Sequence, residues 1–100
     1  MEITLLYFDD CPHWRVADER LRSLQAALGF GLHHCLVESS EAAEDLGFRG
    51  SPSIVVDGTD LFAADEQPIG LSCRIYQTPD GPAGSPTVEQ IATALRARQG

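Results

Sequence analysis

Within its first 28 residues the chain changes pattern once, from a continuous apolar run to a helical period, and few folds accommodate that change. The run is Ile3–Phe8, ITLLYF, which suits a short strand buried on both faces in the middle of a sheet covered by helices. It stops at Asp9-Asp10-Cys11-Pro12, and from there a helix reads through to Leu28. Trp14, Ala17, Leu21, Leu24 and Leu28 recur at three- and four-residue spacing, while Arg15, Asp18, Glu19, Arg22 and Gln25 take the opposite face. Pro12 falls in the first turn, where a missing N–H is harmless, and Gly29 stands where a helix ends. A buried strand that feeds straight into an amphipathic helix is the opening of an α/β domain.

The remaining elements follow the same logic. His33–Val37 predicts a second strand, and Ser39 and Ser40 offer caps for a short helix to Leu46, closed by Gly47. Ser53–Val56 predicts a third strand, turning at Asp57-Gly58. Leu71–Gln77 (LSCRIYQ) predicts a fourth, between irregular stretches 59–70 and 78–85. Thr87 and Gln90 form a capping box for a last helix with the stripe Val88, Ile91, Ala92 and Leu95, and with Arg96 and Arg98 in its final turn. The expected architecture is one domain over residues 1–100: a four-stranded mixed sheet with helices on both faces.

Composition narrows the function classes. The chain carries 15 acidic and 7 basic residues for a net charge of −8, and every basic residue is Arg. With no Lys, a Lys Schiff base and a P-loop Lys are excluded, and without a basic cluster neither nucleic acid nor an anionic membrane is an expected partner. No apolar run approaches the roughly 20 residues of a membrane span. The opening MEITLLYFDD has no signal-peptide character, which points to the cytoplasm, and the all-Arg, Ala-rich composition suits a bacterial gene. Three cysteines do not make a disulfide framework, so free thiols or one reactive site are expected.

The chemistry gathers at Cys11-Pro12-His13-Trp14. A thiol at the carboxyl end of a central strand and the start of a helix faces unpaired N–H groups and the positive end of the helix dipole, both of which favour thiolate. A protonated His13 adds to this, and Asp9 and Asp10 oppose it by like charge. The bland alternative for Cys11 is a small buried hydrophobe that happens to precede a helix.

Leu46-Gly47-Phe48-Arg49-Gly50-Ser51-Pro52-Ser53-Ile54-Val55-Val56-Asp57-Gly58 supplies a second motif about forty residues on. Taken together with Cys11-Pro12-His13-Trp14, it resembles the thioredoxin superfamily over most of residues 1–58 and, more loosely, over the hairpin and last helix. The resemblance implies a thioredoxin-like fold and thiol–disulfide exchange. Cys11 is then the nucleophile and His13 tunes it. Pro52 is a cis-proline against the sulfur, and Pro12, Trp14, Ser51 and Pro52 line the substrate groove. The Ser51 backbone would be an edge on which an extended peptide or glutathione docks by strand addition. Partners would be protein or small-molecule thiols and disulfides, with no cofactor beyond a small thiol such as glutathione as co-substrate.

Trp14 stands where the family carries its resolving cysteine, so local release of a mixed disulfide is closed. Three routes remain: an external thiol as resolver, a distant cysteine (Cys73 or Cys35), or loss of turnover that leaves a binding module. The reading adopted is a single-cysteine oxidoreductase. Cys73 is the better distant candidate, but a regular strand antiparallel to the one after Pro52 places it about four residues, roughly 13 Å, from Cys11. A packed core thiol is the reading favoured for it and for Cys35. No metal is expected: His33, His34 and Cys35 alternate along a strand, so at most two converge. A soft metal at Cys11, or the organomercurial chemistry of some similar small proteins, is the least favoured reading. Trp14 also continues the helix's apolar stripe, so core or groove cap is its expected place. The acids Glu41, Glu44, Asp45, Asp60, Asp65 and Glu66 are expected to face solvent and to disfavour acidic partners weakly.

Overall fold

A computed structural model describes residues 1–62 and 68–99 of the chain. The irregular segment 59–70 is therefore described only at its two ends, and Asp65 and Glu66 lie outside the described residues. The elements are β1 (Glu2–Tyr7), α1 (Trp14–Leu28), β2 (Gly31–Leu36), α2 (Ser40–Leu46), β3 (Ser53–Val56), β4 (Thr59–Asp60), β5 (Tyr76–Thr78), β6 (Gly81–Ala83) and α3 (Val88–Gln99). This is a compact α/β protein with a four-stranded mixed sheet and three helices.

The sheet order is β2-β1-β3-β4, which puts β1 in the interior. β2 runs parallel to β1, with Leu5 opposite His34, and α1 is the crossover between them. β3 runs antiparallel to β1, with Leu5 opposite Ile54. Asp57 and Gly58 adopt positive φ values of 49° and 89°, the conformation a tight hairpin needs at both central positions, and return the chain into β4.

One expectation needs correction here. The fourth strand of the sheet is β4, not Leu71–Gln77. Of that predicted strand, Tyr76 and Gln77 enter β5, which pairs with β6 in a separate two-stranded sheet, while Cys73 makes one isolated bridge. Two residues of β4 and three of β6 are too short to carry a period-two pattern, so both read as irregular sequence.

The helices end where their caps direct. Ser39 Oγ accepts from the Ala42 N–H at 3.1 Å at the start of α2. At α3 the capping box is reciprocal: the Thr87 N–H donates to Gln90 Oε1 at 2.9 Å and the Gln90 N–H to Thr87 Oγ1 at 3.1 Å. Arg98 stands with Arg96 in the last turn of α3, and its guanidinium also donates to the carbonyls of Val56, Thr59 and Asp60, tying α3 to the β3–β4 turn.

Two apolar clusters hold the elements together. The larger joins Ile3, Leu5, Ile54 and Val56 of the sheet to Ala17 and Leu21 of α1 and Ile91 and Leu95 of α3, with Phe30. The smaller joins Leu6, Val37, Ala43 and Phe48, with Phe8, Cys35, Val55 and Leu71 packed against it. Each fully buried Leu or Ile among them contributes about 1.5–3 kcal/mol. Among the described residues, no helix is long and apolar enough to cross a membrane.

Candidate functional site

The site is built where β1 gives out. The Cys11 N–H donates to the Phe8 carbonyl at 3.0 Å, closing a turn that brings residue 11 back under the sheet end, where it is 0% exposed. The helix begins later than its sequence pattern implies, at Trp14 with His13 as cap. Cys11 therefore precedes the cap by two residues, and its Sγ lies 3.7 Å from the carbonyl oxygen of Ser51.

The Ser51–Pro52 peptide bond is cis. The bend around it is held from both sides. Ser53 Oγ donates to the Gly50 carbonyl at 2.6 Å, and the buried Tyr76 hydroxyl donates to the Pro52 carbonyl, also at 2.6 Å. Burial pushes the Tyr76 phenol well above its ordinary range, against the pull of the neighbouring Arg74 charge, with Asp60 adding to the rise. Tyr76 thus stays neutral and keeps its proton for that bond.

The edge on which a substrate was expected to dock is filled by the protein itself. The Ser51 N–H donates to the Ser72 carbonyl at 2.8 Å, and the Arg74 N–H donates to the Ser51 carbonyl at 2.9 Å. These two bonds form a parallel bridge between Ser51 and Cys73. The segment Ser72–Arg74 lies across the cis bend as a strap, and Cys73 is disulfide-bonded to Cys11, with a Cα–Cα separation of 5.7 Å. Cys73 is therefore within bonding reach of Cys11 and not roughly 13 Å away, as a regular antiparallel strand would put it, because a single parallel bridge to Ser51 fixes the register there. Cys73 is exposed, not a packed core thiol.

Arg74 secures the strap, and sequence reasoning missed it. Its side chain, 3% exposed, donates to Ser53 Oγ at 3.2 Å, to Asp60 Oδ2 at 2.7 Å and to the Phe62 carbonyl, and its guanidinium carbon lies 4.7 Å from the Tyr76 ring centroid. Asp60 is accordingly an ion-pair partner of a buried cation rather than a solvent-facing acid. Gly50 makes the close approach possible: its φ is 111°, and a Cβ there would sit 2.9 Å from the Arg74 Cβ. The available signal was the compact string Ser72-Cys73-Arg74-Ile75-Tyr76 inside a poorly patterned region.

The other predicted residues surround this centre. Pro12 and His13 are exposed, and the His13 imidazole lies so close to Gly84 that a side chain at 84 would collide with it. Trp14 is half-buried, packed on the larger cluster and stacked on Tyr7 at 4.4 Å between ring centroids, with the Arg15 guanidinium 4.9 Å from its own centroid. Trp14 Nε1 and Ser51 Oγ are buried and find no hydrogen-bond partner among the described residues.

Cys35 is free and half-buried against the smaller cluster. His34 contacts Asp18 Oδ1 at 2.6 Å, and His33 lies 3.6 Å from Glu2. Among the described residues, no group of three or more His, Cys, Asp or Glu side chains is placed to hold a metal ion. Comparison of the chain with models of known protein families, with curated proteins and with solved structures finds no match.

Proposed function

We propose that this protein is a thioredoxin-like thiol–disulfide oxidoreductase whose redox couple is Cys11 with Cys73. The observation that carries the reading is the Cys11–Cys73 disulfide lying beside the cis Ser51–Pro52 bend. Two sulfurs within bonding reach are what two-electron exchange between dithiol and disulfide needs, and a cysteine in the turn between β1 and α1 with a cis-proline about forty residues on fits the thioredoxin-like arrangement. The element order and the sheet order β2-β1-β3-β4 fit that architecture. So do the two clusters, which draw Ile3 and Leu5 to one and Leu6 to the other, as expected for helices packed on both faces.

The pairing favours a distant resolving cysteine over the single-cysteine scheme. Trp14 blocks local release, and Cys73, brought in by the strap, supplies the missing sulfur. In the cytoplasm such a disulfide is a transient catalytic species rather than a permanent staple.

Reduction of insulin or of a small disulfide, coupled to glutathione, tests the reading. Turnover is expected in the wild type and in Cys35→Ser, and is expected to be lost in Cys11→Ser and in Cys73→Ser. Turnover that survives Cys73→Ser returns the mechanism to Cys11 alone with an external thiol as resolver. A second reading, a redox-inactive binding module, rests on the filled Ser51 edge and the complete burial of Cys11. It prevails if no variant changes turnover and the disulfide resists glutathione until the protein unfolds.

A further inference from the structure

The two cysteines of the disulfide are not equally exposed, and their difference runs against the order the sequence motif implies. Cys11 is 0% exposed, enclosed by the end of β1, the turn to α1 and the cis bend. Cys73 is exposed on the outer side of the strap, next to exposed Ser72 and two residues from Ile75, which is 62% exposed. Arg74 and Tyr76 alternate with them and are buried, so residues 73 and 75 are the ones the strap leaves at the surface, while the Cys73 sulfur reaches back to Cys11.

A thiolate attacks a disulfide along the S–S axis, from behind the sulfur it will bond to, and access decides which sulfur that is. Cys11 is closed to solvent as a whole residue, whereas Cys73 is open to it. We infer that Cys73 is the sulfur that exchanges with external thiols and that Cys11 is the buried resolving cysteine. The inference rests on the redox reading proposed above and assigns the roles within it.

The steps balance without a further reactant. An external thiolate bonds to Cys73 Sγ, the S–S bond breaks, and Cys11 leaves with the electron pair as thiolate. A second thiol then attacks the external sulfur, yielding an external disulfide and the Cys73 thiolate, two electrons having passed to the protein. In the reverse direction, the Cys73 thiolate opens a substrate disulfide and expels one substrate thiolate. Cys11 thiolate then attacks Cys73 Sγ, expels the second substrate thiolate and regenerates the internal bond.

The test uses the oxidised wild-type chain. It is mixed briefly with reduced glutathione, quenched in acid, alkylated with N-ethylmaleimide and cut with trypsin. The three cysteines fall in separate tryptic peptides, 1–15, 23–49 and 50–74. The expected product carries glutathione on Cys73 and N-ethylmaleimide on Cys11, in at least about tenfold excess over the opposite arrangement. Glutathione on Cys11, or equal labelling of both, overturns the assignment while leaving the redox reading standing. A disulfide that stays intact until the chain is unfolded overturns the redox reading itself.

Discussion

Ser51 and Ser53 flank the same proline and do different work. The Ser51 backbone makes both bonds to the strap, while its hydroxyl is buried without a partner; Ser53 Oγ both donates to Gly50 and accepts from Arg74. A buried hydroxyl without a partner costs stability, whereas removal of one with two partners leaves those partners unmet. Ser51→Ala is therefore expected to leave unfolding free energy unchanged or raise it by up to about 1 kcal/mol, and Ser53→Ala to lower it by about 1–3 kcal/mol. Chemical denaturation of the two variants checks the contrast, and equal losses would remove the distinction. The residues of the site were legible in unequal degree. Cys11 and Pro52 stand in local motifs that fix their backbone roles. Arg74 works through contacts with Ser53 and Asp60, which are 21 and 14 residues away in sequence, and no local pattern encodes such a contact.

Among the elements, the helices were readable because their stripes and caps are local: the Thr87–Gln90 box and the Ser39 cap form from the side chains that announce them. The strap was not, because its register comes from one bridge to Ser51 instead of a ladder. α1 and β2 are joined by a polar link that neither element's own pattern specifies. Burial pushes the Asp18 carboxyl up, but the hydrogen bonds and charges of His34 and Arg22 outweigh it and hold the group below its ordinary value. A carboxyl depressed in the folded state adds stability above its unfolded pKa, and that stability drains away as pH falls through the folded one. Asp18→Asn is thus expected to be less stable than wild type at neutral pH. The gap should close as pH drops below about 4, the ordinary Asp value. Urea midpoints measured across pH 2–7 check this; a gap that widens on acidification would contradict it.

For the whole molecule, the disulfide links residues 62 apart in sequence and so closes more than half of the chain into a loop. Loop-closure entropy for that separation comes to about 4 kcal/mol of destabilisation of the unfolded state. Reduction, or Cys73→Ser, is expected to lower Tm by at least about 10 °C. Thermal melts with and without reductant check it, and a shift below about 2 °C would mean that the bond adds little to this fold. The strap that fills the Ser51 edge belongs to the same polypeptide, so dilution cannot empty that edge. A peptide arriving from outside competes with a tethered rival whose effective concentration is on the order of millimolar. Occupancy of that edge is thereby set within the chain, by the backbone bonds, the Arg74 contacts and the disulfide that hold the strap, and not by how much protein is present.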